Sequence, residues 1–123
     1  MKRVNEFFDW KRFSDGKEFQ VVTMSAWKDY NDKSIVLGTM ITCVITQDST
    51  EYSVSEDTNL FEKIYFKIPA KLEIISKYIK LGQVVRPNDV SAKVTAKASG
   101  TFVNYNLSIE CKGFSDSSGK KII

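Results

Sequence analysis

Leu60-Phe61-Glu62-Lys63-Ile64-Tyr65-Phe66-Lys67-Ile68 is the stretch on which the reading of the fold turns. Leu60, Ile64, Phe66 and Ile68 lie on one side of a period of two, and Phe61, Lys63, Tyr65 and Lys67 lie on the other. That alternation is the mark of a β-strand with one face in a core and one face in water. A strand is therefore expected over about 60–68.

Working toward the N-terminus, Gln47 to Asn59 is polar and carries Asp48, Glu51, Glu56 and Asp57, which reads as an exposed loop. Ser34 to Thr46 is rich in Ile, Val and Leu with Gly38 inside it, the pattern of a strand that bends at its glycine. Lys28 to Lys33 reads as a loop, and about 17–28, β-branched and aromatic, as the first strand. Ahead of it, Phe7, Phe8, Trp10 and Phe13 are four aromatics among charges with no sustained period. Residues 1–16 are expected to form an arm whose rings either cap the domain or dock on another subunit of a homo-oligomer.

Toward the C-terminus, Pro69 is followed by Ala70, Leu72, Ile74, Ile75, Tyr78 and Ile79 at near-helical spacing, so about 70–80 is expected as a short helix or a crossover. Gln83 to Ala98 reads as one strand broken at Pro87-Asn88-Asp89, and the alternation of Val103, Tyr105, Leu107, Ile109 and Cys111 predicts a last strand at about 102–112. The Ser, Gly and Lys content of 114–123 predicts a flexible tail. Three strands, a helical crossover and a two-stranded hairpin give an all-β class, a five-stranded OB-fold Greek-key barrel over 17–113. A sandwich needs about seven strands, and an SH3-like barrel offers no natural place for 70–80.

Bulk composition narrows the function. The chain has 123 residues, 42% hydrophobic and 27% charged, which fits one globular domain. It contains no histidine, which removes the commonest general base and metal ligand. The acidic residues of 48–57 do not follow EF-hand spacing, the cysteines lack CxxC spacing, and no phosphate-cradling glycine loop occurs. No cofactor, metal or catalytic role is expected. Cys43 and Cys111 sit in apolar runs and read as reduced core residues. No apolar stretch nears the roughly 20 residues needed to span a bilayer, and charges interrupt Met1 to Phe13, so the expectation is a cytoplasmic protein with no membrane partner. A formal net charge of +3 does not by itself indicate nucleic acid.

Leu37-Gly38-Thr39 before an Ile/Val-rich strand, Asn59-Leu60-Phe61-Glu62-Lys63, Val85-Arg86-Pro87-Asn88 and Asn106-Leu107-Ser108-Ile109 together span much of residues 17 to 112. In these pieces the chain resembles the small OB-fold single-stranded DNA-binding proteins of phages and mobile elements of Gram-positive bacteria, lactococcal phages among them. The resemblance implies a bacterial-host protein of DNA replication or recombination, with single-stranded DNA and replication or recombination proteins as partners. Helicase-processivity factors of conjugative elements look similar, which gives the alternative of a protein-interaction or helicase-accessory module that binds DNA weakly.

The residues supply a site for the first reading. Phe61, Lys63, Tyr65 and Lys67 alternate ring and cation on a face that is not expected to enter the core. Unstacked bases can lie on such rings while the ammonium groups meet the passing phosphates, for DNA and equally for RNA. The bland alternative is a solvated β face with lysine stems covering the rings. Weaker candidates are Trp27 and Lys28 near the first loop, Arg86 in the broken strand, and Lys93 and Lys97 on the outer face of strand four.

Overall fold

The computed structural model describes residues 10–48, 62–99 and 102–123, and of 47–48, 93–99 and 102–108 the backbone alone. Its elements are α1 (Trp10–Ser14), β1 (Lys17–Lys28), β2 (Val36–Asp48), β3 (Lys63–Ile68), α2 (Leu72–Tyr78), β4 (Val84–Asn88), β5 (Ser91–Ser99), β6 (Phe102–Glu110) and β7 (Gly113–Ser115). The decisive stretch behaves as its alternation dictates over the described part. Ile64, Phe66 and Ile68 are buried, while Tyr65 is 43% exposed. Leu60 and Phe61 lie outside the described residues.

The strands form one sheet in the order β5-β6-β3-β2-β1-β4-β7. β1 pairs antiparallel with β2 and β4, β2 antiparallel with β3, β3 parallel with β6, and β5 antiparallel with β6. β5 is one edge of this order and β4 lies next to the other, yet only Asp89 and Val90 separate them in the chain. Three peptide steps reach about 10 Å, so a sheet whose far strands are tied this closely has to curl on itself. The fold is all-β and barrel-like.

The broken strand expected over 83–98 is two strands, and the break falls at the last residue of the expected Pro87-Asn88-Asp89 interruption. Pro87 stays inside β4, paired with Phe114. The turn is at Asp89, whose φ of 53° lies in the left-handed region that Asp and Asn tolerate better than most side chains. In β1 the register slips between Val21 and Thr23, so Val22 is the extra residue of a bulge and is 40% exposed.

The core holds an aromatic cluster. Phe19 and Phe66 meet edge-to-face at 5.3 Å between centroids, and Phe66 and Phe114 at 6.0 Å. Trp10 lies 5.8 Å from both Phe19 and Phe66. Such pairs add about 0.5–1.5 kcal/mol each beyond the area they bury. Phe114 belongs to the segment expected as a flexible tail. That segment instead forms β7, and Ile122 and Ile123 fold back so that the Phe114 N–H donates to the Ile123 carbonyl and the Ile122 N–H to the Phe114 carbonyl. One large ring, fully buried, outweighs the polar composition around it.

In the arm, Trp10 and Phe13 pack against the chain's own core; Phe7 and Phe8 lie outside the described residues. Cys43 and Cys111 are free and buried, as their apolar surroundings predict, and burial pushes both thiols up to about 12. Helix α2 turns Ile75 inward, with Ile79 just after it, both fully buried. Gly38 is required by close approach, because a Cβ there would collide with the Ile68 carbonyl. The adjacent Thr39 ties the same turn down, its hydroxyl donating to the Ala70 carbonyl at 2.6 Å.

Candidate nucleic-acid interface

Residues opposite each other in a sheet share a face. Ser25 pairs with Met40, which pairs with Lys67; Thr23 pairs with Thr42, which pairs with Tyr65; and Val44 pairs with Lys63. Lys63, Tyr65 and Lys67 therefore continue as one row across β2 and β1, on the side of the sheet away from Phe66 and Ile41. Trp27 is the next outward residue of β1, and its partner is Gly38. Gly38 places no side chain beside the indole, and the Lys67 ammonium lies 5.5 Å from its ring centroid. That is within the range at which a ring face attracts a cation.

Trp27, Lys28, Tyr30, Lys33, Met40 and Lys67 line a groove of about 480 Å³ at this end of the sheet. Tyr30 is 93% exposed. It sits in a β1–β2 loop held by its own acids. The Asp29 carboxylate accepts the N–H groups of Asn31 at 2.8 Å and Asp32 at 3.1 Å, and the Asp32 carboxylate accepts the Ser34 hydroxyl at 2.6 Å. The Ser34 hydroxyl, aided by the Ser34 N–H, holds the Asp32 carboxyl below its usual value. The acids of the loop are thus turned to its own backbone, and the lysines beside them are exposed at Lys28 and Lys33.

Of the residues singled out from sequence, the structure brings Trp27, Lys28 and Lys67 together in one groove and sets Tyr65 and then Lys63 further along the same outer face. Arg86 stands apart. Its guanidinium donates to the Lys17 carbonyl at 2.8 Å and the Ser14 carbonyl at 3.3 Å and lies 5.9 Å from the Phe19 ring, so it fastens α1 to β4. Lys93 and Lys97 have their backbones on β5, opposite Ser108 and Asn104; their side chains, like Phe61, lie outside what is described. Tyr30, Lys33 and Met40 are the additions. Tyr30 and Lys33 were visible in the loop 28–33 but had no period to assign them a face, and Met40 is hidden in the unbroken apolar run of β2.

Leu37 also borders a second groove of about 730 Å³, lined by Val36, Pro69, Ala70, Lys71, Leu72 and Glu73. Its lining residues are aliphatic apart from one cation and one anion, which does not suit a stacked base. Among the described residues no cluster of His, Cys, Asp and Glu is placed to hold a metal ion, and no helix is long and apolar enough to cross a membrane. Comparison with protein-family models, with curated proteins and with solved structures finds no match.

Proposed function

We propose that this chain is a non-catalytic single-stranded DNA-binding protein of replication or recombination, built on the five-stranded OB plan. In this reading β4 and β5 are the two halves of the fourth OB strand, β6 is the fifth, α2 is the crossover helix, and β7 is an addition. The element order and the curl of the sheet support it. The observation that carries the binding function is the meeting of Trp27, Tyr65 and Lys67 on one outer sheet face, with Tyr30 and two further lysines at its rim. A base stacked on an exposed ring contributes about 1–3 kcal/mol, and every base offers a π-face, so binding of this kind is largely independent of sequence. In a duplex those faces are already stacked on neighbouring bases, leaving the rings nothing to bind. RNA single strands offer the same faces and phosphates.

The test is a fluorescence-anisotropy titration of a labelled thymine oligonucleotide, alongside a duplex of the same length. Saturable binding to the single strand, weakening with salt and exceeding that to the duplex, is expected. Binding weaker than about 100 μM at low salt, or preference for the duplex, contradicts the proposal and points to a protein-interaction module.

A further inference from the structure

Helix α2 has two apolar sides. Ile75, with Ile79 just beyond the helix, faces the core, yet Ile74 is 43% exposed, Tyr78 53% and, in the turn that follows, Leu81 64%. A step of four residues places Ile74 and Tyr78 on one side of the helix, and Leu81 is exposed in the turn that follows the extended Ile79. That turn is hydrogen-bonded to β1. The Gly82 N–H donates to the Val21 carbonyl at 2.7 Å and the Val21 N–H to the Gln83 carbonyl at 2.9 Å, so the turn after α2 lies against the bulge that exposes Val22. The outcome is a set of exposed apolar side chains, Ile74, Tyr78, Leu81 and Val22, along α2, its following turn and the adjoining bulge, while the described core is served by Ile75 and Ile79.

Charge around these side chains has one dominant sign. Lys71, Lys77 and Lys80 are all exposed, against the single acid Glu73 in the stretch 71–81. Lys80 donates to the Ser76 carbonyl at 2.8 Å and so keeps its charge beside the helix. A second copy of the chain is a poor occupant, since it would set lysines against lysines across the contact. Nucleic acid is also a poor one, since Ile74, Leu81 and Val22 have no face on which a base can stack. We infer that the stripe Ile74–Tyr78–Leu81–Val22 docks an acidic peptide segment of another protein, whose apolar side chains cover the stripe while its carboxylates meet Lys71, Lys77 and Lys80. The surface is separate from the Trp27–Lys67 face, because α2 packs on the inner side of the sheet that carries Tyr65 and Lys67 outward. It does not depend on what that face binds.

The experiment is an amide chemical-shift titration of the full chain with a synthetic peptide of about twelve residues alternating Asp and Leu, and with a matched peptide in which Lys replaces Asp. The acidic peptide is expected to shift the amides of Leu72–Gly82 and Val21–Val22, and the basic one to leave them unmoved. Tyr78→Ser and Lys77→Glu are both at exposed positions and should each weaken the acidic peptide by about tenfold while leaving thymine-oligonucleotide affinity unchanged. No shifts with the acidic peptide, equal shifts with the basic one, or shifts centred elsewhere overturn the inference. So does a thymine oligonucleotide that shifts these same amides, since the stripe would then belong to a nucleic-acid surface. Oligonucleotide binding that persists when the peptide fails sinks this inference alone and leaves the proposed function standing.

Discussion

Cations meet aromatic rings at both ends of β1, and the two ends do opposite things with the same chemistry. Near its start, Lys17 Nζ lies 4.6 Å from the Phe13 centroid and Arg86 lies over Phe19, with Lys17 only 2% exposed and the guanidinium hydrogen-bonded to two backbone carbonyls. Near its end, Lys67 lies over Trp27 beside an open groove, with Tyr30 almost wholly in water. A ring beside a cation is therefore not in itself a binding signal. What separates the two ends is backbone hydrogen bonding and the rim: at the first end Lys17 is buried and Arg86 is fastened to carbonyls, whereas the second is bordered by the exposed Lys28, Tyr30 and Lys33, and its lysines can exchange water for phosphate.

The comparison is broken most severely by changes to the fastened end. Phe114→Ala removes a fully buried ring next to Phe66 and is expected to cost about 3–5 kcal/mol of stability, read by chemical denaturation. A loss under about 1 kcal/mol would mean the C-terminal segment is not part of the core. Arg86→Ala removes the charged hydrogen bonds to the Ser14 and Lys17 carbonyls and should cost about 1.5–3 kcal/mol of stability, with oligonucleotide affinity unchanged at a temperature where the variant is folded. If affinity falls and stability holds, Arg86 belongs to the binding site and the two ends are not different in kind.

At the second end the pattern reverses. Trp27→Ala is expected to weaken thymine-oligonucleotide binding by about 1–3 kcal/mol while shifting folding stability much less. Lys67→Ala should have the smallest effect, lowering the slope of log affinity against log salt by about 0.7 in magnitude, the value for one phosphate on a single strand. An unchanged slope places Lys67 away from the phosphates and leaves it as a cover for the indole.

How far the sequence carried the fold depends on where the pattern lay. β1 was legible from its β-branched and aromatic content, and β3 and α2 because a period of two or near 3.6 ran through them; Ile64, Phe66 and Ile68 needed nothing beyond their spacing. The C-terminal segment was not legible, because one buried Phe114 and two terminal isoleucines decide its fate among residues typical of a free tail. The split at Asp89 lay within the expected Pro87-Asn88-Asp89 interruption, but that Pro87 and Asn88 stay paired inside β4 could not be read before β7 was known. In the site, the alternation of β3 assigned Lys63, Tyr65 and Lys67 to one face. That Trp27 joins them depends on β1–β2 register and on a bulge at Val22, neither of which can be read from one strand alone. Arg86 was a weaker candidate than Lys67 because no alternation gave it a face, and its role shows only in the carbonyls its donors reach.

Trp27 offers the most direct test of the account, because the chain has just two tryptophans and the other, Trp10, packs in the core cluster. In a Trp10→Phe variant, checked by circular dichroism to retain its fold, Trp27 is the sole source of indole emission. The account predicts that a thymine oligonucleotide quenches this emission to saturation, that added salt reverses the quenching, and that duplex DNA of the same length leaves it unchanged. Oligonucleotide binding detected by anisotropy with no change in Trp27 emission, or no binding at all, would contradict it.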